Sequence, residues 1–283
     1  MFPLESQEFN ITNSEQGKQL FARLWEVENS KMLICLVHGQ GEHSGRYLNV
    51  ANYFISQSFS VMAIDLQGHG KSDGKRGHIL KLDEYLGNVG ALMKEANNRF
   101  PKLTKVIYGH SMGGNVVANY ILKNQNANLQ GIVLTSPWFK LAFEPPIFKV
   151  MLAKLVRNIM PSYTEKNSLD GQGLSRDEAV GRAYVSDELV HGDISASAFW
   201  ALSQGGETVI ENAHLFSKPT LVMHGMADSI TSHKATQEFA EKNKQFIHFK
   251  GWENHLHELH NELDYEEKLQ FIADWLRKEV MEK

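Results

Sequence analysis

The sequence predicts an α/β fold, a mostly parallel sheet with helices on both faces and a helical insertion between two core strands. Three observations point there. Met32 to Val37, Val61 to Asp65, Ile132 to Leu134 and Pro219 to Gly225 are short, mostly apolar runs without alternation, as expected of strands buried on both faces. Helical patterns stand between them, so strand and helix alternate as in a parallel sheet. The 283 residues are 42% hydrophobic, enough for one large core with an insertion.

Taken in order, residues 5–27 read as two strands joined by the polar turn Asn13-Ser14-Glu15-Gln16-Gly17. Met32 to Val37 is the first core strand and ends in His38-Gly39-Gln40-Gly41. Tyr47, Val50, Ala51 and Phe54 then recur at helical spacing. Val61 to Asp65 is the second buried strand and leads into Gln67-Gly68-His69-Gly70-Lys71-Ser72. A helix is predicted over 83–99, with Tyr85, Val89, Leu92, Met93 and Ala96 on one face. The strand from Lys105 and the apolar helix holding Val116, Val117, Tyr120 and Ile121 come next, then the strand at Ile132.

From about 138 to 214 the alternation breaks, and no core strand is predicted there. It resumes with the strand at Pro219 to Gly225, a helix over about 232–242, a strand at Phe246 to Phe249 and a last helix over about 265–280. The domain reading is therefore a core of 1–137 and 215–283 and a helical cap over 138–214. Within the cap, apolar residues at 147, 148, 151, 152, 155, 156 and 159 form one broad helical face. That face packs on the core or, as a lid, borders a lipid pocket and makes transient contact with a membrane surface.

Net charge of -4 and a pI of about 6.4 argue against a nucleic-acid binder. No run of about 18 apolar residues spans a membrane, and the N-terminus carries no basic-then-apolar signal pattern. The single cysteine, Cys35, reads as a small buried hydrophobe in a strand. A cytoplasmic location is the expectation.

Gly109-His110-Ser111-Met112-Gly113 fits the G-x-S-x-G elbow, in which a serine is lifted on a strained strand-to-helix turn. A Cβ at 109 or 113 would collide with the turn or the adjoining strand. The helix that follows points its N-terminus at the serine, where an oxyanion would develop. A serine hydroxyl needs a base, and in an elbow protein the acid and then the histidine follow in the chain. Asp228, three residues beyond the end of a buried strand, stands in the acid slot. The loop after the last strand holds His255, His257 and His260, and spacing alone does not choose among them. His260 is close enough to the last helix to help it start, and His255 is expected to be solvated. The second oxyanion donor should come from the loop after the first core strand, which makes the backbone N–H groups of Gln40 and Met112 the candidates. Asp65 and His69 are read as structural.

Four stretches together carry a resemblance. They are His38-Gly39-Gln40-Gly41-Glu42-His43-Ser44-Gly45-Arg46-Tyr47, Asp65-Leu66-Gln67-Gly68-His69-Gly70-Lys71-Ser72, Gly109-His110-Ser111-Met112-Gly113-Gly114 and His257-Glu258-Leu259-His260-Asn261-Glu262. In this order they resemble the monoacylglycerol lipase and lysophospholipase group of the α/β-hydrolases. The resemblance implies an α/β-hydrolase fold, with Ser111 as nucleophile, Asp228 as acid and His257 as base. It implies hydrolysis of a lipid-like monoacyl ester without metal or organic cofactor. Asp187-Glu188-Leu189-Val190-His191 is similar to the group's cap segment. Gln40 departs from the group, which commonly has a small residue there. The rival readings are a short-chain or aryl carboxylesterase and, from another class, a non-catalytic ligand-binding protein on the same fold. A dehalogenase or epoxide hydrolase would want an aspartate in place of Ser111.

Overall fold

The computed structural model describes residues 5–13, 16–144, 159–166 and 171–282. Its centre is an eight-stranded sheet in the order β1-β2-β4-β3-β5-β6-β9-β10. The strands are β1 (Gln7–Asn13), β2 (Lys18–Trp25), β3 (Met32–Val37), β4 (Phe59–Ile64), β5 (Thr104–His110), β6 (Gly131–Thr135), β9 (Thr220–Gly225) and β10 (Ile247–Trp252). β1 and β2 run antiparallel, as do β2 and β4; every pairing from β4 to β10 is parallel. The expected mostly parallel α/β sheet is what forms.

Its strands lack alternation because both faces are covered. Leu33, Cys35 and Val37 of β3 enter one apolar cluster, while Met32, Ile34 and Leu36 enter the other. That is the two-residue period of a strand with apolar partners on each side. On the first face lie α2 (Asp83–Arg99), α3 (Met112–Lys123), α5 (Ala196–Glu211) and α6 (His233–Glu241). On the second lie α1 (Leu48–Ser56) and α7 (Tyr265–Leu276). Cys35 is fully buried.

β3 has β4 on one side and β5 on the other. The chain therefore leaves β3 in one direction and returns past it, and the loops after β3 and β5 part at the carboxyl edge. In open parallel sheets this switch point is where ligands bind. It lies between the loop holding Gln40 and the turn holding Ser111.

Between β6 and β9 the chain leaves the sheet. β7 (Thr164–Lys166) and β8 (Asp193–Ser195) pair only with each other, and α4 (Glu178–Ser186) stands apart on the surface with Tyr184 its only buried residue. α5 differs: Leu202, Val209 and Ile210 share the cluster of α3 and the sheet. Asn115 of α3 donates through Nδ2 to the carbonyls of Trp138 (2.6 Å) and Leu202 (2.8 Å). The last helix of the 138–214 segment is thus packed as a core helix. The apolar face over 147–159 lies outside the described residues except for Ile159, which is exposed.

Candidate active site

Ser111 sits between β5 and α3 with φ 52° and ψ -119°, a left-handed φ that is uncommon for a residue with a Cβ. The turn holds it there by close packing that only glycine permits. A Cβ on Gly109 would come 2.6 Å from the Gly113 carbonyl oxygen, and one on Gly113 would come 2.3 Å from that of Val37. The Ser111 N–H donates to the Thr135 carbonyl (3.0 Å), and its own carbonyl accepts from Trp138 N–H (2.9 Å). Met112 opens α3, so its N–H is among the amides the helix leaves without an acceptor. The loop after β3 passes directly over the serine: a Cβ on Gly39 would lie 3.2 Å from that of Ser111.

Asp228 follows β9 on a turn and is buried. Its Oδ1 accepts from the N–H groups of Ile230 (2.7 Å) and Thr231 (3.1 Å). Its Oδ2 accepts from Thr231 Oγ1 (2.9 Å), His224 Nε2 (3.0 Å) and His257 Nδ1 (2.7 Å). Burial pushes this carboxyl up, but the His257 charge and the hydrogen bonds from His224 and His257 outweigh it and hold Asp228 well below the usual carboxylate range. An ionised Asp228 can only accept, so His257 carries its proton on Nδ1 and presents a lone pair on Nε2. Burial lowers His257, yet the charge and hydrogen bond of Asp228, joined by the charges of Glu258 and Glu42, raise it above its ordinary value. That is the environment of a base.

Of the three loop histidines, only His257 meets Asp228. The other two are not where the sequence suggested. His260 does not start the last helix, which begins five residues later at Tyr265. It is buried beside His257, stacked on Tyr47 at 4.7 Å and edge-on to His110 at 4.7 Å. Burial drops it to about 4. His255 is not solvated either; its Nε2 faces Asp264 Oδ1 at 3.0 Å and Arg176 at 2.9 Å. The ring of His110, next to the serine, lies 4.8 Å from that of His257. Asp65 is fully buried. It accepts from Ser44 N–H (2.8 Å) and Oγ (2.6 Å) and from Lys71 N–H (2.9 Å), tying the loops after β3 and β4. His69 is fully buried between His38 and His191.

Two residues that the sequence did not single out brace this pair. His224, the last residue but one of β9, has Nδ1 2.9 Å from Thr236 Oγ1 and donates through Nε2 to Asp228 Oδ2, the same oxygen that His257 meets. Ser136 has φ 43° and donates through Oγ to the His257 carbonyl at 2.7 Å. Its own carbonyl lies 3.1 Å from the Thr231 hydroxyl, whose single proton it shares with Asp228 Oδ2. A left-handed serine in a Ser-Pro dipeptide has no sequence signature, because its φ is imposed by the neighbouring strands. The only clue to His224 was its place at the end of a buried strand. Among the described residues, no group of three or more His, Cys, Asp or Glu side chains is arranged to hold a metal.

Comparison with known proteins places this site in context. The family described as serine aminopeptidase, S33 (Hydrolase_4) matches residues 28–264. The chain is 36% identical over 275 residues to an uncharacterized abhydrolase domain-containing protein of Dictyostelium discoideum, covering 96% of this chain but 29% of that one. The chain thus spans less than a third of that relative's length. It is 31% identical to a monoacylglycerol lipase of Mycolicibacterium smegmatis, covering 92% of this chain and 93% of the relative. The crystal structure of a monoacylglycerol lipase from Paleococcus ferrophilus superposes with a TM-score of 0.80 at 28% identity, covering 98% of this chain and all of that one (100%).

Proposed function

We propose that this chain, which belongs to the serine aminopeptidase S33 family and has the α/β-hydrolase fold, hydrolyses carboxylic esters of lipid-like monoacyl compounds, monoacylglycerol or lysophospholipid. The observation that carries the reading is the 2.7 Å pair of Asp228 and His257, on the same sheet edge as the strained Ser111. Ser111 Oγ attacks the ester carbonyl while His257 Nε2 takes its proton. The N–H groups of Gln40 and Met112 receive the oxyanion, each worth about 3 kcal/mol of transition-state stabilisation. His257 then protonates the departing alcohol, giving an acyl-enzyme and, after attack by a water that His257 deprotonates, a carboxylic acid. No step in this sequence calls on a metal or organic cofactor.

The lipase name of the Mycolicibacterium smegmatis relative supports a monoacyl ester as substrate. The part of the 138–214 segment before α5, which leaves the sheet, supports reading it as the cap, while α5 belongs with the core; the face over 147–159 would be the cap's contact with lipid or a membrane surface. Among the described residues no helix is long and apolar enough to cross a membrane. The reading carries a cytoplasmic location, supported by a lone cysteine with no partner for a disulfide in the chain.

The family takes its name from an aminopeptidase, so the decisive experiment is a panel. Monoacylglycerols, lysophospholipids, aryl esters and aminoacyl anilides are offered to the wild-type protein, alongside labelling with a fluorophosphonate. The expected result is labelling at Ser111 and fastest turnover of a monoacyl lipid. Faster cleavage of the anilides would assign the site to amide hydrolysis. No labelling and no turnover would leave a ligand-binding protein on a hydrolase fold.

A further inference from the structure

The loop after β3 carries the Gln40 N–H, and it is anchored at two ends by different parts of the molecule. At its start the Gly39 N–H donates to Glu42 Oε1 at 2.6 Å. That carboxylate also receives the Tyr47 hydroxyl (2.7 Å) and Arg46 Nη1 (2.6 Å). This anchor is inside the core. The second anchor is a stretch of the 138–214 segment, far away in sequence. Gln40 Nε2 donates to the Asp193 carbonyl at 2.8 Å. The His191 N–H donates to the Gly41 carbonyl at 2.8 Å. His43 Nε2 meets Asp187 Oδ2 at 2.9 Å. The Gly45 N–H donates to His43 Nδ1, so Nε2 carries the hydrogen and is the donor to Asp187.

The fit is tight as well as polar. Gly41 has φ 75°, and a Cβ there would come 2.2 Å from the His191 carbonyl oxygen. Gln40, Gly41 and His43 are thus fixed by 187–193, and Glu42 among them is held by Arg46 and Tyr47. An oxyanion donor works through its position, because an amide displaced by about 1 Å gives up much of its effect on rate.

We propose that segment 187–193 forms the outer wall of the oxyanion site, with Gln40 and Asp187 as positioning residues that fix the Gln40 N–H for the transition state. This rests on the reading of Ser111 as nucleophile and of the Gln40 N–H as oxyanion donor. It gives the segment a role in the rate on every ester, a small water-soluble one included, in addition to any role in admitting long acyl chains.

The test measures kcat and KM on 4-nitrophenyl acetate, together with Ki for a short trifluoromethyl ketone. Ser111 adds to that ketone and places an alkoxide in the oxyanion site. Gln40→Ala and Asp187→Ala should each lower kcat by about 10- to 100-fold with KM within about twofold. Ki should rise by a matching factor, since the alkoxide is held by the same donors. Asp187→Asn should stay within about threefold of wild type, because its amide oxygen still accepts from His43 Nε2. Wild-type kcat in both alanine variants, a change in KM alone, or a fall in kcat without the parallel rise in Ki would each overturn the proposal. If Asp187→Ala fails to fold by circular dichroism, Gln40→Ala decides, since it removes an amide and leaves the loop backbone intact. Should the wild type itself take no fluorophosphonate at Ser111, the fault lies with the reading of the nucleophile; labelling with an unchanged Ki faults the wall alone.

Discussion

Ser111 and Ser136 both hold left-handed φ values, and their substitutions should behave differently. Ser111→Ala removes the nucleophile and leaves the turn, so the protein should fold and lose about four to six orders of magnitude in kcat/KM. Ser136→Ala keeps the unfavourable Cβ and loses the hydroxyl that holds the His257 carbonyl. Ser136→Gly loses the same hydroxyl but relaxes the backbone. Both should slow the pre-steady-state burst with an activated ester, by about tenfold. Only the glycine variant should keep a wild-type melting temperature. Equal melting temperatures would mean that φ at 136 stores no strain. The base must be neutral to accept a proton, and His257 is raised above its ordinary value. The acid limb of kcat/KM should therefore fall at a pH above about 6.5, with activity lost as pH drops through that limb. His257→Ala should abolish the burst. His255→Ala should keep at least about a tenth of it, because His255 meets Asp264 and Arg176 and not Asp228.

At the scale of elements, α3 and α5 are joined by Asn115 and by Asn119, whose Nδ2 donates to the Gly205 carbonyl at 3.1 Å. Gly206 lets α5 run against Phe139, where a Cβ would lie 2.0 Å from the carbonyl oxygen. A deletion of the 138–214 segment is therefore predicted to leave a folded sheet only if α5 stays. Removing residues 140–192 should give a cooperative melt, and removing 138–214 should give aggregation from the uncovered face of α3. A cooperative melt from the longer deletion would show that α5 is not needed. The shorter deletion also tests the oxyanion wall, since it should slow hydrolysis of short and long esters alike.

Across the whole molecule the buried histidines set the response to acid. His260 is at about 4, and burial lowers His38, His69, His110 and His224 as well. Each takes its proton more readily when unfolded, so between its folded value and about 6.5 the unfolded state binds more protons and stability rises with pH. His257 works the other way: its contribution is present below about 6.5 and is lost as pH rises through its higher folded value. The lowered group is the larger, so the melting temperature should fall from pH 7 to pH 5. His260→Gln should flatten that slope, by an amount on the order of 2 kcal/mol between pH 7 and pH 5. An unchanged slope would mean that His260 takes up its proton alike in the folded and the unfolded protein.

The linear order of residues determined the mostly parallel sheet by itself, and it named Ser111 and Asp228 as candidates. Apolar runs without alternation mark doubly covered strands wherever they occur, and a G-x-S-x-G turn is specified by the size of three glycine-flanked positions. These are local properties, written within ten residues. What tertiary structure decided were the contacts between separate segments, from about thirty to more than a hundred residues apart. Spacing left three histidines open because they share one loop, and only the parallel pairing of β9 and β10 brings the loops after them, and so His257 and Asp228, together. His260 looked like the start of a helix until Tyr47 and His110 closed over it. The bond of Ser136 to His257 and the hold of 187–193 on Gln40 join distant loops, and their geometry exists only after the sheet has brought its carboxyl edge together.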